Sequence, residues 1–199
     1  MRKVVACVFF LVAPLLAQNH VLDGGPPGAA IGPSFEASAG YVYLSMAMPT
    51  QRLGLSGVDA NGLVKFDSRW AATVDSTFAS TGNVLGTGHN GDFLSFMAGP
   101  VFYPVVRRKT EFFVEALGGV GRVNSAVPVS GTYYLGGWVT RPSYGLGGGF
   151  EHSLFGPFAV RAQGGYQRTT FVDSTGATQG QNNLLVTTSI VYRFNRGAE

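Results

Sequence analysis

Seven charged residues carry the chain's clearest potential for chemistry: Glu36, Lys65, Asp75, Glu115, Glu151, Arg161 and Arg193. Each falls on the polar side of a run that alternates in polarity. Only 13% of the 199 residues are charged, against roughly 25% in ordinary soluble domains. Charges turned into one narrow interior must pair or stay hydrated. The expected arrangement is an ion-pair network filling a lumen. The functional alternative is a gated or narrow water path lined by mixed rings of charge. Which acid meets which base depends on strand register.

Other constellations are weaker. Glu151-His152-Ser153 holds the three residue types of a nucleophilic triad, but neighbours on a strand point to opposite faces and cannot all converge. His20, His89 and His152 have no paired spacing, and a metal site needs several ligands at one point. Gly145-Leu146-Gly147-Gly148-Gly149 lacks the dinucleotide spacing and a strand–helix setting, so close packing is the better account. Arg107-Arg108-Lys109 is a compact basic turn. No catalytic residue, cofactor or metal is expected, and the chain is not expected to be an enzyme.

The first residues read as an address. Met1-Arg2-Lys3 is positive, Val4 to Ala13 is apolar, and Ala17 offers a cleavage end, so residues 1–17 are expected to be a secretory signal peptide. Cleavage there would remove Arg2, Lys3 and no acid, lowering the formal charge from +3 to +1. The basic balance therefore gives no support to nucleic-acid binding. It would also remove Cys7, the chain's one cysteine, and with it any disulfide. Residues 18–33, with Gly24-Gly25-Pro26-Pro27, read as a flexible lead-in.

From residue 34 to 195, eight runs show a period of two. One face carries, for example, Phe35, Ala37, Ala39, Tyr41 and Tyr43, then Trp70, Val74 and Phe78, then Leu184, Val186, Ile190, Tyr192 and Phe194. No charge interrupts that face. The other face holds the acids, bases, amides, hydroxyls and much of the glycine, of which there are 29. No stretch approaches the ~20 apolar residues of a spanning helix, so a membrane crossing requires a closed barrel.

The pattern predicts an all-β, eight-stranded, antiparallel up-and-down barrel. A membrane barrel puts the apolar face outside; a soluble one puts it inside. Aromatics at the ends of the apolar face favour the membrane: Tyr41, Tyr43, Trp70, Phe78, Phe112, Phe158 and Tyr166 are expected to face lipid. Tight turns near Asp67-Ser68, 106–109 and 153–156 alternate with longer links near 82–91, 124–138 and 172–181; another link, 47–53, is shorter. The fourth run is irregular, since Phe93, Met97, Val101 and Tyr103 fall on its supposed inner side and Pro100 removes a donor. Asn90-Gly91-Asp92, Tyr133-Tyr134 and Gln179-Gly180-Gln181-Asn182 are expected loop tips.

Several segments in this order resemble the OmpA-like outer-membrane β-barrel family: Phe35-Glu36 with Gly40-Tyr41-Val42-Tyr43-Leu44, Phe96-Met97-Ala98-Gly99-Pro100, Ala116 with Gly119 and Gly121, Gly147-Gly148-Gly149 before Val160-Arg161, and Val191-Tyr192-Arg193-Phe194. The resemblance implies an outer-membrane barrel of a didermic bacterium, expected to be a monomer. Its implied partners are outer-membrane lipid, lipopolysaccharide and, during insertion, the barrel-assembly machinery, which would read Tyr192 and Phe194. Residues 196–199 would form a short periplasmic tail. The implied role is structural or surface-interacting. Alternatives are a small pore and a secreted soluble barrel binding an apolar ligand.

Overall fold

The computed structural model describes residues 33–47, 52–84, 88–124, 127–130, 133–135, 137–172 and 178–194. The expected signal peptide, residues 18–32 of the lead-in and the tail lie outside the described residues. The strands are β1 (Ser34–Ala47), β2 (Arg52–Lys65), β3 (Trp70–Thr81), β4 (Gly91–Val106), β5 (Thr110–Asn124), β6 (Val127–Ser130), β7 (Tyr133–Leu135), β8 (Trp138–Ser153), β9 (Phe158–Val172) and β10 (Thr178–Arg193). Eight of them close a barrel in the order β1-β10-β9-β8-β5-β4-β3-β2, and β6 pairs with β7 separately. Every barrel pair is antiparallel. Closure leaves no free sheet edge in the wall.

Alternation decides which side chains fill the interior. In β1, Glu36, Ser38, Val42 and Leu44 are buried while Ala37, Ala39, Tyr41 and Tyr43 are exposed. The same period holds through β2, where Asp59, Asn61 and Leu63 point in and Val58 points out. Leu146 is 66% exposed and Ile190 52%, whereas Glu151 is 0%. This barrel is inverted relative to a soluble one: it wets nothing with its apolar face and buries its charges. The soluble-barrel alternative required the opposite facing and is overturned. Phe35 and Tyr43 are eight positions apart on β1, about 26 Å of strand at ~3.3 Å per residue. Tilted at ~40°, that length rises about 20 Å along the membrane normal, most of the ~25 Å apolar band of such barrels. The chain is a transmembrane β-barrel.

Several expectations need correction. The apolar runs underestimated strand length on the loop side. The β2 ladder begins at Arg52, and β8 and β10 begin at Trp138 and Thr178. Hydrogen-bonded pairing continues past the apolar band, where polar side chains no longer reveal a face. Consequently Gly91-Asp92 and Gln179 to Asn182 are strand residues, and Tyr133-Tyr134 lie in the β6–β7 hairpin within the expected long link. Pro100 interrupts the fourth run on one side only: β3–β4 pairing passes through Ala72↔Pro100 without a shift, whereas the β4–β5 ladder skips Gly99 and Pro100 and resumes at Val101↔Glu115 in the same register. The one shift in β4–β5 falls between Phe102 and Val105, around Pro104, which has no N–H to give.

Glycine has a specific role at Gly40. A Cβ built there would run into the Thr188 carbonyl and the Ser189 backbone of β10. Only a residue without Cβ lets β10 approach β1 this closely at the seam that closes the barrel.

Candidate functional site: a layered lumen

The lumen is the only enclosed arrangement of chemistry among the described residues, and it is layered. At the end carrying the short turns 66–69, 107–109 and 154–157, six charged side chains converge. Glu36 comes from the start of β1, Lys65 from the end of β2, and Glu111 from the start of β5. Glu151 comes from the end of β8, Arg161 from the start of β9, and Arg193 from the end of β10. Lys65 reaches Glu111 at 2.6 Å and Glu36 at 3.1 Å. Arg161 reaches Glu151 at 2.8 Å and Glu36 at 3.4 Å. Arg193 pairs with Glu151, lies 3.5 Å from Glu111, and sets Nε 3.1 Å from Glu36, there without hydrogen-bond alignment. Three acids meet three bases, so the formal charge cancels.

Register explains this clustering. Glu36 stands opposite Arg193 across β1–β10, and Glu151 opposite Arg161 across β8–β9. Glu111 stands opposite Glu151, a like-charge pair that Arg193 bridges. Neutral partners finish the shell: Arg161 also donates to Asn61 at 3.0 Å and lies 5.3 Å from the Phe113 ring centre, while Lys65 sits 4.5 Å over Tyr103.

Two expected members are elsewhere. Asp75 and Glu115 lie deeper, with Asp59, around a cavity of about 40 Å³ also lined by Thr77, Ser95, Gln163, Gln167 and Thr187. That is room for one or a few waters. Asp75 stands opposite Asn61 and Met97, and Glu115 opposite Val101 and Gly147. Among the described residues no base pairs with these three carboxylates. Thr77 lies 2.8 Å from Asp59 and 3.3 Å from Asp75, but has one hydroxyl proton to share between them. The expected single network is therefore two layers.

Sequence reasoning missed Glu111 and left Asp59 out of the network. The parity of β5 could have found Glu111: it shares a face with Phe113 and Glu115, but the run was begun one residue too late.

Apolar layers close the ends. On the loop side Val42, Leu44, Met46, Leu55, Ala79 and Phe93 pack together inside the barrel. On the turn side Leu63, Ala71, Val101, Tyr103 and Phe113 do so. The irregular inner face of β4 is thus filling material: Phe93 is 0% exposed and Tyr103 1%.

The remaining candidates separate. Glu151 and Ser153 turn inward, Ser153 accepting from Arg193 at 2.8 Å, while His152 bonds Thr110 at 2.8 Å through Nδ1. The expected lipid-facing aromatics are all on the exterior; Tyr166 is half-buried, its hydroxyl donating to Asn182 at 2.6 Å. On the turn side exterior rings stack in pairs, Trp70 with Phe102 at 4.9 Å and Phe158 with Tyr192 at 5.4 Å. Tyr192 also meets Phe194 at 4.9 Å, edge to face. In the β2–β3 turn, Asp67 accepts from the N–H of Arg69 at 2.6 Å and of Trp70 at 2.8 Å, and these bonds hold its carboxyl below the ordinary value.

Fold and facing together define a small transmembrane barrel with a filled lumen. Among solved structures the chain is similar to Neisserial surface protein A, with a TM-score of 0.66 at 11% identity, covering 82% of this chain and 100% of that one. It is similar to Ail, the attachment invasion locus protein of Yersinia pestis, in complex with the heparin analogue sucrose octasulfate: TM-score 0.58, 17% identity, 82% and 100%. It is also similar to the outer membrane protein OprG from Pseudomonas aeruginosa: TM-score 0.51, 8% identity, 84% and 98%. At these identities the likeness is one of fold. No family model matches the chain, and no curated protein does.

Proposed function

We propose that the chain is an integral outer-membrane protein of a didermic bacterium whose barrel is a closed structural body and whose loop end makes its contacts. The observation that carries this reading is the filled lumen. Among the described residues an apolar cluster on the loop side, a cavity with room for a few waters, and a second apolar cluster with six interlocked charges occupy the interior in turn, and this filling supports a closed barrel. An ion crossing this interior would have to displace packed side chains and break buried ion pairs. The narrow-pore reading loses support for that reason.

Two of the fold relatives support the location, one being named a surface protein and the other an outer membrane protein. Ail's complex with a polyanion supports a surface role by analogy of fold alone. Short turns then face the periplasm and the longer links the outside. The protein acts as a monomer in contact with outer-membrane lipid, and Tyr192 and Phe194 on the closing strand present the signal read during assembly. Planar-bilayer recording of the refolded chain tests the reading. A silent bilayer, with folding verified by heat-dependent gel mobility, is the expected result. Steady openings altered by Arg161→Gln would overturn it in favour of a pore.

A further inference from the structure

Two arginines on the barrel exterior are brought together in a way that the ion network does not explain. Arg52 opens β2 and Arg168 lies in β9, so β1 and β10 stand between them in the wall. Three strand spacings separate their backbones by about 14 Å. Yet both side chains lean over β10. Arg52 Nε donates to Ser45 Oγ at 2.8 Å, and its Nη2 donates to the carbonyls of Ser45 at 2.7 Å and Asn182 at 3.3 Å, crossing β1 entirely. From the other side, the Arg168 guanidinium lies over Gly180: a Cβ there would sit 2.8 Å from Nη2. Gly180 and Asn182 share one outward face, about 7 Å apart along β10.

From these contacts we infer that this wall binds a phosphate group of a lipid in the loop-side leaflet, an inference that rests on the outer-membrane reading above. Two guanidinium groups leaning over one strand from its two sides suit a phosphate between them, each fork donating at ~2.8 Å. The acceptors of Arg52 are all neutral oxygens, so among the described residues its charge is uncompensated and its Nη1 makes no bond. Arg168 has no ion pair among them either. On the loop-side exterior the sole described carboxylate is Asp92, on β4 across the barrel from β10, where Asn124 donates to it at 3.4 Å. The depth also fits. Tyr166, at the edge of the apolar band, donates to Asn182 beside the pair, so the arginines stand just outside the aromatic level, where headgroups lie. Two like charges on either side of β10, with no counter-charge among the described residues, raise the energy of the empty site, and a phosphate lowers that cost. Gly180 keeps the approach open.

The test is binding of a phosphorylated glycolipid, bis-phosphorylated lipid A, to the refolded chain in neutral detergent micelles, read by native mass spectrometry. The dephosphorylated lipid and inorganic phosphate are run beside it. Phosphorylated lipid should bind about tenfold or more tighter than its dephosphorylated form, the difference expected of charge-assisted contacts. Arg168→Gln should weaken it about tenfold, with Arg168→Lys intermediate. The double variant with Arg52→Gln should erase the preference, and Arg108→Gln in a turn at the other end should leave it unchanged. If Arg52→Gln fails to fold, Arg168→Gln carries the test, because its guanidinium makes no ion pair among the described residues. Equal binding of both lipid forms, or full binding by Arg168→Gln, would overturn the site. Displacement by millimolar inorganic phosphate would overturn the lipid as its source. None of these readouts depends on where the protein resides, which cell fractionation decides separately.

Discussion

The two carboxylate layers of the lumen differ in one respect, and it reverses what each carboxylate does. Glu36, Glu111 and Glu151 face three bases within ion-pair reach. Asp59, Asp75 and Glu115, a few residues deeper on the same faces, surround a small cavity and meet amides and hydroxyls. Buried charge stabilises only when its partner is already in place, because desolvation consumes most of the Coulomb gain. The turn-side layer satisfies that condition and ties six of the eight wall strands to one another. The inner layer does not, and its acids are tolerated by water and neutral donors. One protein therefore offers the same side-chain chemistry with and without compensation, inside one barrel.

Removing an acid from each layer should give opposite signs. Glu151→Gln comes first: Glu151 is 0% exposed and serves both Arg161 and Arg193. Leaving two buried guanidinium groups short of a counter-charge should cost about 3–5 kcal/mol. The check is the urea midpoint for unfolding from lipid vesicles, and a loss below ~1 kcal/mol would show that the six-charge layer is not the structural tie. Gly40→Val should follow, at about 1–3 kcal/mol, because its side chain would enter the β10 backbone at the closing seam. Slowed recovery of the folded band after refolding is the accompanying readout. Asp75→Asn should be neutral or stabilising by about 1 kcal/mol, since it removes one of three adjacent acids without stranding a base. A destabilisation as large as that of Glu151→Gln would abolish the contrast.

Two smaller effects sharpen it. Tyr103→Phe should stay within about 1 kcal/mol of the parent, because the buried Tyr103 hydroxyl has no hydrogen-bond partner, while the ring under Lys65 is retained. Asp67→Ala, in a fully exposed turn, should have the least effect. The Asp67 carboxyl is held below its ordinary value by the Arg69 and Trp70 N–H groups, so its contribution is present above the unfolded-state pKa. It is lost as pH falls through the depressed folded-state value. The parent's small stability advantage over Asp67→Ala should accordingly vanish in acid, and an advantage that persists there would refute the turn bonds as its source.

Much of this was legible before any coordinates. Strict alternation, with no charge on one face of any run, identifies the strands and their facing, and Trp70, Phe158 and Tyr166 mark the band's edges. Legibility ended where alternation lost its contrast. In the loop-side extensions polarity no longer tracks the two faces as it does in the band: β10 there is polar on both faces, β2 turns Leu53 and Leu55 inward, and β8 exposes Trp138 and Val139 alike, so their pairing did not continue the band's pattern. Glu111 escaped because it is the second residue of β5, next to the basic turn, and the alternating run was begun at Phe112, one residue after it. The apolar inner residues of β4 read as an irregularity, although they are what fills the lumen.

Period-two polarity by itself determined eight strands with one apolar and one charged face, because burial acts on each residue's face separately; the aromatics at the ends of the apolar face favoured its pointing outward, and the structure decided it. Partner choice was decided only by tertiary structure. Glu36 meets Arg193 because β1 and β10, the two ends of the barrel, come together in one register, and a shift of that seam would change every pairing. The division of seven expected charges into a balanced layer and an uncompensated one, and the approach of Arg52 and Arg168 to β10 from its two sides, are likewise consequences of stagger around a closed wall. Contacts such as Arg52 to Asn182 and Arg161 to Glu36 join residues more than a hundred positions apart, and nothing local in the chain encodes them.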